Sequence, residues 1–222
     1  MIVGQQKPLE EIWEMVKDRK RLLVLGCNTC VAVCHEGGSK EAGIIASLLR
    51  MKAKHEGVVM DITEGGIERQ CEEEFFAPVH GAIAESDAVL STACGIGVQF
   101  IAAFWKDKPV FPALNTTFLG GVEKEGIFSE RCQACGSCVL GRTGGICPIS
   151  RCAKRVLNGP CGGSVDGRCE INKDIPCAWQ LIVDRLKELN QMDRYEELSP
   201  IQDWSTDRAG GPRTLEQEDL KQ

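Results

Sequence analysis

Leu9, Ile12, Trp13 and Val16 recur at i, i+3, i+4 and i+7, which gathers them on one face of a helix over residues 8–19. Pro8 stands at a permitted first-turn position. Residues 21–26 (RLLVLG) follow as a short, continuous apolar run, the pattern of a parallel strand buried on both faces. Helical spacing resumes over 40–54 through Ile44, Leu48 and Met51, with Ser39 placed to cap it. Further strands are expected near 57–62 (GVVMDI), 87–92 (DAVLST) and 108–113 (KPVFPA), with helical stretches around 72–85 and 96–105. This alternation predicts an α/β domain over residues 1–115: an open, parallel, four-stranded sheet of the Rossmann or flavodoxin-like kind, covered on both faces.

Beyond it the pattern changes. Residues 114–131 read as a connector, and from there to about 177 large apolar residues give way to Cys, Gly and Pro. Such a segment buries too little apolar surface to offset a chain entropy of roughly 1–2 kcal/mol per residue, so cross-links or metal must hold it. Trp179, Ile182, Leu186 and Leu189 then restore helical spacing over 177–190. The expected organisation is the α/β domain, a small Cys-rich, metal-cluster-stabilised C-terminal module with a terminal helix over 116–190, and a polar tail over 191–222.

Composition narrows the class. Thirteen of the 222 residues are cysteine, which suits either a secreted disulfide scaffold or an intracellular metal or redox protein. The opening MIVGQQKPLEEIWEMVKDRK is charged and amphipathic, unlike the apolar core of a signal peptide. With the odd cysteine count and the repeated C-x-x-C spacing, it points to the cytoplasm. No stretch of about 18 uncharged apolar residues is present, so no membrane span is expected. A net charge of −6, with no strongly basic patch, gives no reason to expect nucleic-acid binding. Neither a Ser/His/Asp arrangement nor H-E-x-x-H supports hydrolysis.

The cysteines fall into two blocks. Eight lie between 132 and 177: Cys132, Cys135, Cys138, Cys147, Cys152, Cys161, Cys169 and Cys177. The opening C-x2-C-x2-C lets three thiolates reach three irons of one [4Fe–4S] cube, with a fourth ligand from farther along the chain. Eight thiolates suffice for two cubes, with Cys132, Cys135, Cys138 and one distant cysteine on one and the remaining four on the other. Zinc is the rival, and one cube plus one zinc stays open. The other five are Cys27, Cys30, Cys34, Cys71 and Cys94. Cys27 and Cys94 end predicted strands, so both belong at the carboxyl edge of the sheet, where open α/β folds bind ligands. Four of the five are expected to hold a cluster, and which one is spare is open. Gly95 and Gly97 suggest a turn whose amides face cluster sulfur. A dinucleotide loop is disfavoured, because the third glycine of G-x-G-x-x-G would fall at Phe100. His35 adjoins Cys34 and could ligate zinc, though a surface turn is its expected place, and His55 and His80 lack ligand spacing.

The motifs G-C-N-T-C-V-A-V-C, I-E-R-Q-C and A-C-G-I-G-V-Q, with C-Q-A-C-G-S-C-V-L-G-R-T-G-G-I-C-P through N-G-P-C-G-G, resemble one family over about residues 5–190. The chain is similar to the MetV-type iron–sulfur subunits of bacterial methylenetetrahydrofolate reductase. That resemblance implies a MetF-type partner subunit that carries the FMN or FAD and reduces methylenetetrahydrofolate to methyltetrahydrofolate. It implies that this chain is a non-catalytic subunit, passing electrons from ferredoxin or another donor complex to that flavin through [4Fe–4S] clusters. One cluster would be N-terminal and one or two C-terminal, within the one-carbon (Wood–Ljungdahl) metabolism of an anaerobe. At 222 residues the chain has no room for a catalytic barrel of about 250 residues. The alternative is a zinc-stabilised assembly or docking subunit without an electron relay of its own.

Overall fold

A computed structural model describes residues 1–220; residues 221 and 222, the end of the expected polar tail, lie outside the described residues. The chain divides into two compact units, Met1–Ser129 and Glu130 onward.

The first unit is built on β2 (Arg21–Cys27), whose residues from Leu22 on are all buried. It pairs in parallel with β3 (Asp61–Ile67) on one side and β4 (Ala88–Ser91) on the other, and β5 (Val110–Pro112) completes the order β3-β2-β4-β5. Side chains of a strand alternate between faces, so Leu22 and Val24 enter one core and Leu23 and Leu25 the other. The first core is closed by α1 (Leu9–Val16) and α3 (Ser39–Glu56) through Ile12, Trp13, Ile45 and Leu49. The second is closed by α4 (His80–Glu85) and α5 (Gly95–Phe104) through Ile83 and Ile101, with Phe76 and Val79. The expected parallel sheet with both faces covered is therefore present.

Four details differ from expectation. The stretch 57–62 is not a strand: Gly57, at φ +70°, ends α3, and the strand begins only at Asp61. Its sequence DITEGGI is an edge strand with only Ile62 and Ile67 buried, so it lacks the apolar run that marks β2. Ser39 does not cap α3; Gly38 holds that position, and the Ser39 hydroxyl donates to Asn28 Oδ1 at 2.9 Å. The stretch 72–85 is a 3-10 segment, Glu73–Val79, before α4, because Pro78 cannot donate to an α-helical ladder. The expected connector is instead ordered as β6 (Leu114–Lys124) and β7 (Ile127–Cys132), which with β1 (Ile2–Gln6) form an antiparallel sheet in the order β1-β6-β7.

The second unit has little regular structure: α6 (Pro148–Arg151), α7 (Ala178–Glu188), α8 (Asp193–Glu196) and short 3-10 turns. Trp179, Ile182 and Leu186 of α7 are buried, whereas Leu189 follows the helix and is exposed. No helix among the described residues is long and apolar enough to cross a membrane.

Candidate functional site

Strand order reverses on either side of β2, since β3 lies to one side and β4 to the other. The carboxyl ends of β2 and β4 therefore flank the crevice where open α/β sheets bind ligands. Cys27 is the last residue of β2, and Cys94 is the N-cap of α5, just beyond β4. Cys71 follows β3. Cys27, Cys71 and Cys94 lie close enough that each pair of thiolates would repel, which raises the Cys27 and Cys71 thiols, though burial is the larger cause for both. Backbone amides of Gln70 and Thr29 work the other way, favouring the Cys27 thiolate.

Cys30 opens α2 (Cys30–Val33), three residues after Cys27. Cys34 is different. Its buried thiol lies 3.4 Å from the Cys30 carbonyl and 3.8 Å from that of Ile2. Burial pushes this thiol up, and among the cysteines its electrostatic partner is Cys30. His35, beside it, is exposed in a turn at φ +58°.

A buried polar network that the sequence did not announce fixes this edge. Gln70 is completely buried; its Nε2 donates to Leu25 O at 2.8 Å, and its Oε1 accepts from the Ser91 hydroxyl at 2.5 Å. The Thr92 hydroxyl donates to Gly37 O at 2.5 Å. These bonds tie the segment carrying Cys71 to the ends of β2 and β4. Gly97 allows the approach: a Cβ there would lie 2.7 Å from Ala93 Cβ and 2.9 Å from Gln70 Cβ. Gln70→Leu removes one donor and one acceptor from a sealed site, and the orphaned partners cost about 2 kcal/mol. Urea denaturation of the metal-free chain is expected to register that loss.

In the second unit four cysteines, Cys152, Cys161, Cys169 and Cys177, line one small cavity with Arg151, Lys154, Glu170 and Trp179. Local bonds bring them there. Cys169 N–H donates to Ile175 O at 3.0 Å and Cys177 N–H to Gly167 O at 2.7 Å, folding the 167–177 turn back on itself. The Trp179 indole donates to Val156 O at 2.8 Å, tying α7 to the segment after Cys152. The Cys161 thiol donates to Glu170 Oε2 at 3.5 Å, and Lys154 pairs with the same carboxylate. Amides of Asn172 and Ile171 hold the Cys169 thiol below its ordinary value.

The remaining four have another setting. Cys132 ends β7, Cys135 and Cys138 follow in the next loop, and Cys147 is the N-cap of α6. The Ser150 hydroxyl of α6 donates to Arg131 O at 2.9 Å, which joins the turn carrying Cys147 to the residue before Cys132. The Ala134 amide donates to Cys132 Sγ at 3.3 Å.

Among the described residues, no three or more His, Cys, Asp or Glu side chains are gathered tightly enough to hold a bare metal ion. The chemistry of the donors nevertheless fits thiolate-ligated metal. Four thiols line one cavity beside two cationic side chains, and others meet at a sheet edge supplied with backbone amides. Cys27, Cys71 and Cys94, which act on one another, could hold one centre with Cys30, three residues after Cys27 and beside Cys34; Cys152, Cys161, Cys169 and Cys177 could hold a second, and Cys132, Cys135, Cys138 and Cys147 a third.

Comparison with curated proteins and with solved structures found no match to this chain. Residues 111–205 match the family described as Methylene-tetrahydrofolate reductase C terminal, and over that stretch, which takes in all eight cysteines of the second block and α7, the chain is similar to it.

Proposed function

We propose that this chain is the MetV-type electron-transfer subunit of a methylenetetrahydrofolate reductase, working in the cytoplasm beside a MetF-type flavin subunit and a ferredoxin or similar donor. The observation that carries the reading is the cysteine arrangement: thiols at the switch point of the parallel sheet, four more around one cavity, and the C-x2-C-x2-C loop, the last two within a stretch matched to that reductase's C-terminal family. A cysteine-ligated [4Fe–4S] cube supplies one-electron transfer. The chain's own part is to supply thiolates, to exclude water from Cys27, and to direct the amides of Gln70 and Thr29 at its sulfur. In this reading Cys27, Cys30, Cys71 and Cys94 are the N-terminal ligands and Cys34 is the spare. Cys147 completes the clamp of Cys132, Cys135 and Cys138.

A second reading is favoured by one observation. Four cysteines around a single small cavity also suit a tetrahedral structural zinc, which would make that site a scaffold for docking rather than a relay. Anaerobic purification separates the two. A brown protein with stoichiometric iron and sulfide, retaining a flavoprotein through purification, supports the relay. Zinc alone in a colourless protein sinks it, and iron together with one zinc assigns the cavity to structure.

A further inference from the structure

The chain after α8 belongs to the expected polar tail, yet it carries a buried polar side chain. Gln202 is only 9% exposed, and its Nε2 donates to Ser137 O at 2.8 Å. The Thr206 hydroxyl donates to Cys135 O at 3.2 Å, and Arg213 Nη2 donates to Ala134 O at 2.9 Å. Arg213 also bonds the Thr206 carbonyl through Nη1, so the donors brace one another. All three acceptors are backbone carbonyls of the single loop that carries the C-x2-C-x2-C clamp.

The direction of those carbonyls has a consequence. Across a trans peptide plane, the C=O of one residue and the N–H of the next point opposite ways, and the described residues contain no cis peptide. Holding the carbonyls of Ala134 and Cys135 against residues 206–213 therefore turns the N–H groups of Cys135 and Gly136 the other way, while the Ser137 carbonyl, held by Gln202, also lies 3.7 Å from the Cys135 thiol. Ala134 and Gly136 both have positive φ, +52° and +86°. Left-handed residues of this kind are what curl successive amides into an anion-binding nest. Gly136 is needed for a second reason: a Cβ there would lie 2.5 Å from Thr206 Oγ1.

We propose that residues 202–213 form a positioning strap for the Cys132–Cys138 clamp, in which Gln202 anchors the loop at Ser137 while Thr206 and Arg213 hold the Cys135 and Ala134 carbonyls outward and so aim the Cys135 and Gly136 amides as a nest for the negative charge of a thiolate-ligated cluster. The nest assignment rests on the iron–sulfur reading above, while the strap itself rests on the bonds.

The test uses the full chain, its Thr206→Val and Thr206→Ser variants, and a chain ending at Pro200. In the as-purified proteins, hydrogen exchange of the 134–138 loop is followed by peptide mass spectrometry, with α7 as the internal control. The shortened chain is expected to exchange at least about tenfold faster in that loop, the loss of more than one hydrogen bond, with α7 unchanged. In the iron-loaded proteins, redox titration followed by electron paramagnetic resonance is expected to show one signal moved to lower potential by Thr206→Val, because amide donors stabilise the reduced, more anionic cluster. Thr206→Ser, which keeps the hydroxyl, restores it. Equal exchange rates together with unchanged potentials overturn the strap. Faster exchange in the shortened chain, with no iron in the full-length protein, leaves the strap standing and overturns the nest along with the iron–sulfur reading.

Discussion

Cys94→Ala and Cys27→Ala are each expected to lower the iron content of the anaerobically reconstituted chain by roughly four atoms, while Cys34→Ala leaves it at the wild-type value. Spacing alone treats Cys27, Cys30 and Cys34 as equals in a C-x2-C-x3-C series. The fold separates them. Cys27 sits at the carboxyl end of β2 within electrostatic reach of Cys71 and Cys94, and backbone amides favour its thiolate. Cys34 stands four residues after Cys30, at the end of α2, and its thiol already faces the carbonyls of Cys30 and Ile2. The Cys27 thiol also lies 3.9 Å from a carbonyl, that of Glu68, so what sets Cys34 apart is its neighbours: Cys30, rather than Cys71 or Cys94, acts on it, which places Cys34 as a packing residue against β1. Iron and sulfide analysis of each variant measures the effect, with urea denaturation of the metal-free proteins showing that the sheet has survived. Equal iron loss in Cys34→Ala and Cys94→Ala would remove this assignment.

What could be read from the sequence, and what could not, follows from where each signal is stored. The Leu22–Leu25 run and the Ile12, Trp13, Val16 stripe each carry their burial in their own composition, so β2 and α1 were legible. β3 was displaced because a polar edge strand has no such run, and the apolar residues before it belong to the end of α3 and the link that follows. β1, β6 and β7 were missed because their pairing joins residues as far apart as Ile2 and Leu119, and no local period records a distant partner. The cysteines' spacing marked them as candidates for one chemistry, while which of them the chain brings together depends on turns such as 167–177 and on the Trp179 to Val156 bond. Gln70 gave no signal at all. Its value comes from reaching Leu25 and Ser91, which lie on two different strands. The 202–213 segment failed for a related reason: its side chains bond backbone carbonyls, and a carbonyl leaves no trace in the identity of the residue that bears it.

Stripping metal from the intact chain with a strong chelator is expected to unfold the C-terminal unit and leave the parallel sheet of the first unit folded. The first unit has two apolar cores, one on each face of the sheet, supplied by four helices. The C-terminal unit offers a small cluster of Trp179, Ile182 and Leu186, with Ile146, Val156 and Met192 partly buried against it. Much of its backbone between β7 and α7 runs in turns and bends, so few regular ladders hold it. Thiolate–metal bonds are the remaining source of stability, and structural zinc in small domains contributes about 10–16 kcal/mol at neutral pH. Hydrogen exchange measures both units in one sample. After chelation the amides of α7 should exchange at rates near those of an unfolded chain, while those of β2 keep their protection. Protection of α7 that survives complete metal removal would mean that its apolar face and the strap suffice to hold the unit. Zinc added back to the stripped chain is expected to restore α7, because Cys152, Cys161, Cys169 and Cys177 line one cavity and can close on either metal. Refolding therefore reports that these four thiols act together, and only the iron and sulfide content of the native protein tells which metal they carry.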